Sequence, residues 1–312
     1  MSDEKKASSL CMIGAPFKFG QPKDGVNFAP NMIKNILKSD VRLSSNTLDF
    51  KFFNRIDSYV DVIDLGNINP YDVKQNNEDD VLDYNVTVSN IVQENLEKGH
   101  NVLTIGGDHT IAIGSINGVL NYNPNTIVIW IDAHADINTK KTSPSGNMHG
   151  MPVAYLTGLE NIPNYKKFSV LKPKLCFNQI VYIGIRDLDE GEKKFLKDHN
   201  IMAYWSQDVK RIGILQIMKD ILAKLDPAKN KNFHLSLDID GIDPEYAPST
   251  GTIIEKGLND DEIFTICDVL RETKRLRSMD MVEVNPLIGS ERDKDKTLRL
   301  ATDCIRLAMI GQ

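Results

Sequence analysis

Three short segments concentrate the residues able to do chemistry: Gly-Gly-Asp-His-Thr at 106–110, Asp-Ala-His-Ala-Asp at 132–136 and Ser-Leu-Asp-Ile-Asp-Gly-Ile-Asp-Pro at 236–244. Each follows or closes a short apolar run that reads as a strand: Val102 to Ile105, Ile127 to Ile131 and Phe233 to Ile239. In open parallel sheets ligands bind beyond the carboxyl ends of strands, so groups far apart in sequence can meet there. The first segment by itself is equally an ordinary glycine-containing turn. Its glycines allow a tight bend, Thr110 and the residues after it can open a helix, and His109 then stands near a helix N-terminus, where a neutral imidazole is favoured. In the second, an extended backbone places Asp132, His134 and Asp136 on one side with only alanines between them. Three titratable groups crowded this way without a cation would repel and desolvate badly, which disfavours reading them as mere caps and turn residues. In the third, Asp238 and Asp240 stand two residues apart, while Asp243, before Pro244, reads as a turn residue outside the cluster.

Pooled, His109, Asp132, His134, Asp136, Asp238 and Asp240 supply two imidazoles and four carboxylates, whose charge balances two divalent ions. Hard oxygen donors with some imidazole and no thiolate suit Mn²⁺ better than a structural Zn²⁺, and Mg²⁺ usually forgoes histidine. Two Mn²⁺ ions are therefore the expected cofactor. Two metals at close spacing can share a water, lower its pKa towards neutrality and present hydroxide to an electrophilic carbon or phosphorus. That chemistry is hydrolysis.

These groups need a scaffold. Further strand-like runs occur at Val181 to Ile185 and Met279 to Val284, and helical periodicity at Val81 to Leu96, at Val209 to Leu225 and at Leu298 to Met309. Strand and helix alternate from Met12 and Ile13 to the end, which predicts an α/β fold: one domain, a three-layer α/β/α sandwich around a mostly parallel sheet. No linker interrupts the pattern. A polar tail is expected over 1–9, one domain over 10–312, and a polar surface loop from Asn67 to Asp80. A net charge of −6 provides no positive field to gather phosphate backbones, so no nucleic-acid partner is expected. No apolar run approaches the roughly 18 to 20 residues that span a bilayer, and the start is unlike a secretory or transit peptide, so a cytoplasmic protein without a membrane partner is expected. Cys11, Cys176, Cys267 and Cys304 form no Cys-x-x-Cys pair and are expected to be buried thiols.

The three segments, in this order, resemble those of the ureohydrolase family and, within it, the arginases. The likeness runs from Ile13-Gly14-Ala15-Pro16 to the Met-Asp-Met-Val-Glu-Val-Asn-Pro stretch at 279–286. It implies an arginase-like fold and a metal-bridging hydroxide that attacks the guanidinium carbon of L-arginine, giving urea and L-ornithine. It also implies direct coordination by His109, Asp132, Asp136 and Asp240, His134 completing the second ion, and bridging by Asp132 and Asp238. Glu283 matches the glutamate that anchors the guanidinium group, apt for a planar two-donor cation, although its place between Val282 and Val284 is also that of an ordinary strand-end charge. His149 matches a proton shuttle to the departing amine, and Asp136 is counted with His149 and Glu283 among the catalytic groups.

Substrate choice falls to the loop from Asn138 to Asn147. Its Asn138, Ser143, Ser145 and Asn147 are neutral donors suited to an α-carboxylate beside an acidic pocket, similar to arginases and unlike agmatine hydrolases. Asp189 matches the acidic residue that receives the α-amino group, and Thr252 joins the substrate contacts by the same likeness. Departures lie at Lys23 and Asp261, where arginases carry arginine, and in an end soon after Met309; they bear on the homotrimer that the resemblance implies, not on catalysis. The rivals are a ureohydrolase for agmatine or another guanidino compound, a dinuclear phosphoesterase, whose motif order differs, and a non-catalytic relative, which would be expected to lack some of the six ligands. His100, His199 and His234 have no such company and read as structural.

Overall fold

The computed structural model describes residues 9–39, 49–53, 59–71, 73–74, 77–162, 165–167, 169–172 and 174–311. The tail expected over 1–9 therefore lies, but for Ser9, outside the described residues. Among the described residues nine strands form one sheet: β1 (Leu10–Ala15), β2 (Asp49–Phe53), β3 (Tyr59–Asn67), β4 (Asn101–Gly106), β5 (Ile127–Ile131), β6 (Ile180–Ile185), β7 (Met202–Trp205), β8 (Phe233–Asp238) and β9 (Leu276–Val282). Their order is β2-β3-β1-β4-β9-β8-β5-β6-β7, parallel throughout except for β2, which pairs antiparallel with β3 at the edge.

Strand alternation divides the core into two faces. On one, Leu10, Met12, Ile127, Ile129 and Ile131 pack with Ile33 and Leu37 of α1 (Ala29–Ser39). Later helices join them there: α6 (Ser206–Ile212), α7 (Ile214–Leu225), α8 (Asp260–Glu272) and α9 (Glu291–Ile305). On the other, Cys11 and Ile13 meet α2 (Glu78–Glu97), α3 (Ala112–Tyr122) and α4 (Pro152–Thr157), while Val128, Trp130 and Tyr182 meet α3, α4 and α5 (Glu190–Asp198). The layers are the α/β/α sandwich expected from the alternation. Among the described residues no helix is long and apolar enough to cross a membrane.

Local chemistry sets the helix ends. Asn77 caps α2 by accepting from the Asp80 amide, and three acids in the first turn face the positive end of the dipole. Asn259 with Glu262, and Ser290 with Asp293, form reciprocal capping boxes on α8 and α9.

Four expectations are corrected. The helical run from Val209 to Leu225 is two helices, because Gly213 takes φ +87°, outside the helical region, and breaks it. The last strand stops at Val282 rather than Val284, since Glu283 turns into left-handed backbone. The run ending at Ile239 stops at Asp238, where a 3-10 turn begins. Cys176 is exposed, on the loop before β6, whereas Cys11, Cys267 and Cys304 are buried as expected.

One close approach locks the segment carrying His109 to the sheet. Gly107 donates to the Ala15 carbonyl at 2.8 Å, Asp108 donates to the Phe17 carbonyl at 2.9 Å, and a Cβ on Gly107 would lie 1.7 Å from the Phe17 carbonyl oxygen. Backbone cannot yield as a flexible side chain does. Gly107→Ala is expected to destabilise the metal-free chain by about 3 kcal/mol, in the range of severe overpacking. A thermal melt checks this, and an unchanged midpoint would show that the Phe17 segment moves freely.

Candidate active site and metal-ligand cluster

His109, Asp132 to Asp136, Asp238 with Asp240, and Glu283 follow β4, β5, β8 and β9, four adjacent strands at the centre of the sheet. Asp108, not Thr110, caps the turn after β4, its carboxylate accepting from the Thr110 amide at 3.0 Å and the Gly20 amide at 2.9 Å. The His109 ring is buried, stacks on Trp130 with centroids 4.2 Å apart, and places Nε2 2.9 Å from Ser236 Oγ. Its Nδ1 faces Asp132 at 3.2 Å and Asp136 and Asp238 at 3.1 Å each. The distances are those of ion pairs, but the angles are not those of hydrogen bonds, and Nδ1 has no hydrogen-bond partner. Three carboxylate oxygens gathered around a buried nitrogen without bonding it are what a shared cation would order.

The backbone from Asp132 to Asp136 is not extended: β5 ends at Ile131, and Asp136 sits at φ +49°. The three side chains still converge, through loop contacts rather than strand alternation. Asp132 accepts from Trp130 Nε1 at 2.9 Å and from the His134 amide at 2.7 Å, and Asp240 accepts from the Ala133 amide at 3.2 Å. His134 Nδ1 lies 3.3 Å from both Asp132 and Asp240. Two groups thus have ligand geometry, His109 with Asp132 and Asp238, and Asp132 with His134 and Asp240. Asp132 belongs to both. Asp243 is a turn residue as expected, accepting from the Glu245 and Gly257 amides.

Charge explains how this cluster exists in the metal-free chain. Burial works against protonating His109, but Asp132, Asp136 and Asp238 outweigh it and hold the imidazole pKa well above its ordinary value. The neutral His109 expected from a helix N-terminus is thus overridden by its carboxylate neighbours. Burial also opposes protonating His134, and Asp240 and Asp132 again prevail. Burial favours the neutral Asp132, yet the two neighbouring histidine rings keep that carboxyl below the usual range. Asp136 is pushed up to about 6 by burial and the charge of Asp132. Both imidazoles thus sit against carboxylates that favour positive charge at this place.

A cleft of about 150 Å³ opens above the cluster. Of the expected site residues, His134, Asp136, Asn138, Ser145, His149, Asp189, Asp238, Asp240, Thr252 and Glu283 line it. His109 and Asp132 lie buried beneath, and Asn147 is not among the lining residues. Glu283, at φ +61°, points one oxygen at both the His109 amide (2.8 Å) and His149 Nδ1 (3.0 Å). Burial tends to lower the His149 pKa, but Glu283 raises it to about 9. Asn138 Nδ2 donates to Asp189 at 2.8 Å while its Oδ1 accepts from Thr142 at 2.9 Å. Lys23 reaches the Gly251 carbonyl next to Thr252, and Asp261 is exposed in the first turn of α8.

Glu192 lines the cleft and was missed from sequence. It is almost fully buried, and burial together with Asp136 pushes its carboxyl to about 8. A signal existed: Asp189 and Glu192 form a capping box on α5, so the cap that fixes Asp189 brings Glu192 to the same wall.

A model of the Arginase family matches residues 8–311. The chain is 36% identical over 307 residues to an arginase of Glaciozyma antarctica, covering 96% of this chain and 86% of that relative. It belongs to the arginase family. The arginase structure from Bacillus caldovelox superposes with a TM-score of 0.83 at 32% identity, covering 98% of this chain and 99% of that one. That of Entamoeba histolytica arginase in complex with L-ornithine gives 0.81 at 30%, covering 96% and 97%. The chain is accordingly a hydrolase of the arginase family, with a cluster chemically fit for metal.

Metal loading is expected to release protons, because the raised pKa values of His109, His134 and Asp238 favour protonated forms that must be given up on ligation. Affinity should weaken as pH falls, since raised histidine pKa values favour the protonated, non-ligating form. Calorimetric titration with Mn²⁺ in buffers of different ionisation enthalpy measures this; heats independent of buffer would contradict it.

Proposed function

We propose that the protein is a dinuclear manganese arginase that hydrolyses L-arginine to L-ornithine and urea. The observation that carries this reading is one cleft that lies over the two ligand groups and is lined by the Glu283–His149 pair beside them. His109, Asp132, Asp136 and Asp238 would hold one ion, and His134, Asp132, Asp238 and Asp240 the other. When bound, the two ions would supply positive field and lower the pKa of a water towards neutrality.

The chain's own groups do the rest. Glu283 is buried and paired with His149, so a guanidinium arriving at the cleft floor meets a carboxyl group suited to its planar donors. The hydrogen bond from the His109 amide fixes the carboxylate relative to the ligand cluster. His149, held protonated to about pH 9, can give its proton to the nitrogen that leaves as the C–N bond breaks. Guanidinium plus water then balance as urea plus an alkylammonium ion.

At the far end, Asn138, Ser145, Asp189 and Thr252 offer donors and one carboxylate to an amino acid head group, with Ser143 beside them. Asn147 donates its amide to Ser145 and would act by shaping the loop. These neutral donors favour arginine over agmatine, which lacks the α-carboxylate and remains the alternative substrate. The reading extends to one ureohydrolase domain over 10–312 and to a homotrimeric cytoplasmic enzyme of arginine metabolism, with the chemistry of the urea cycle.

Three measurements test it. After Mn²⁺ loading, the enzyme should release urea and ornithine from L-arginine, with two ions per chain, and prefer it over agmatine; preference for agmatine would remove the α-carboxylate argument. Asp132→Asn or His109→Ala should lower metal content and activity together, and full activity in either would break the ligand set. His149→Asn should keep its metal while kcat falls about 10²-fold, the scale of general acid catalysis. The alkaline limb of kcat/KM near pH 9 should vanish with it; its persistence would move the proton donor elsewhere.

A further inference from the structure

Arg186 leaves β6 one residue beyond its end and turns its guanidinium under the cleft. Every donor it has is used, and every acceptor is a backbone carbonyl. Nε donates to Glu255 at 3.1 Å, Nη1 to Gly184 at 3.0 Å and Gly241 at 3.2 Å, and Nη2 to Asp240 and Ile254 at 2.7 Å each. The same residue's amide donates to the Ala133 carbonyl at 2.8 Å. Three segments meet at this one side chain and its backbone: the loop of Asp132 to Asp136, the turn of Asp238 to Gly241, and the loop that carries Thr252.

These segments need such a tie because two of them have few ladder partners for their carbonyls. The bridge between Ile242 and Leu258, with Asp243 accepting from Gly257, holds the base of the Thr252 loop. Arg186 holds the part nearest Thr252, at Ile254 and Glu255. A planar fork can bond five carbonyls in fixed directions, and a lysine ammonium cannot. Its charge also faces Asp240, Asp132, Asp243 and Asp238.

We propose that Arg186 is a positioning residue whose guanidinium sets Asp240, a ligand of the second ion, together with the Thr252 side of the substrate cleft. The proposal rests on the dinuclear reading above. It predicts a lopsided defect: the ion held by His134 and Asp240 weakens, and the ion on the His109 side stays.

Arg186→Lys keeps the charge without the fork, and Arg186→Gln removes the charge. Mn²⁺ titration followed by electron paramagnetic resonance, metal content after gel filtration, kcat and KM for L-arginine, and melting of the metal-free chain are measured for both and for the wild type. In Arg186→Gln the weaker ion's affinity should fall about 10- to 100-fold, as for other groups that orient metal ligands, leaving about one retained ion per folded chain. KM should rise and kcat fall, with Arg186→Lys intermediate. Wild-type stoichiometry, KM and kcat in both folded variants would overturn the proposal alone. Equal weakening of both ions, or failure of both variants to fold, would make Arg186 a general stability residue and overturn it too. A wild-type chain that does not take up two ions would instead overturn the dinuclear reading, and the proposal with it.

Discussion

Four aspartate carboxylates lie within a few ångströms of one another where little water reaches them, and almost every other feature of the molecule serves that arrangement. Two unit charges 4 Å apart interact by about 4 kcal/mol at an effective dielectric constant near 20, so the unrelieved cluster would be costly. The protein relieves it with positive charge. His109 and His134 stand against these carboxylates, which raise both imidazole pKa values. Two divalent ions would supply positive charge directly, shifting the formal net charge from −6 to about −2. Part of the acidic balance of the sequence therefore lies in a buried cluster and not on the surface.

The sheet makes the convergence possible by putting strands distant in sequence next to each other. β4, β9, β8 and β5 are neighbours although β4 and β9 are separated by much of the chain, and each releases its functional residue at its carboxyl end. Parallel register then places those ends at one level. The helices bury the two faces, so specificity can lie in loops beyond the strand ends while the ligands stay close to the sheet.

Two of the functional carboxylates stand on left-handed backbone, Asp136 at φ +49° and Glu283 at φ +61°. Such conformations cost of order 1 kcal/mol or more for a residue with a side chain and persist where surrounding contacts over-determine them. Here those contacts are visible: the Asp136 carbonyl accepts from the Val153 amide at 2.9 Å, and the Glu283 amide donates to the Gly107 carbonyl at 2.8 Å. The turn at Glu283 is what takes its side chain off the strand face and into the cleft beside His149.

Much of this is legible in the order of residues. Short apolar runs and 3.6-residue periodicity depend on local burial, so the strands from β4 to β6, helix α2 and the layered α/β class can be read directly. So can the identity of the six ligand candidates, because residue type and position after a strand are sequence properties. The features that escape such reading are set by contacts between distant segments. Asp132, His134 and Asp136 meet through a loop tied to β6 and β8, not by strand alternation; the His109 pKa is raised by carboxylates that follow or close two other strands; Glu192 joins the cleft because a helix cap brings it there. Arg186 has no motif around it at all. The sequence alone determined which groups were available and how much charge they would need to share. The tertiary structure decided their protonation, their angles and their common clamp, since pKa and orientation depend on neighbours that only folding supplies.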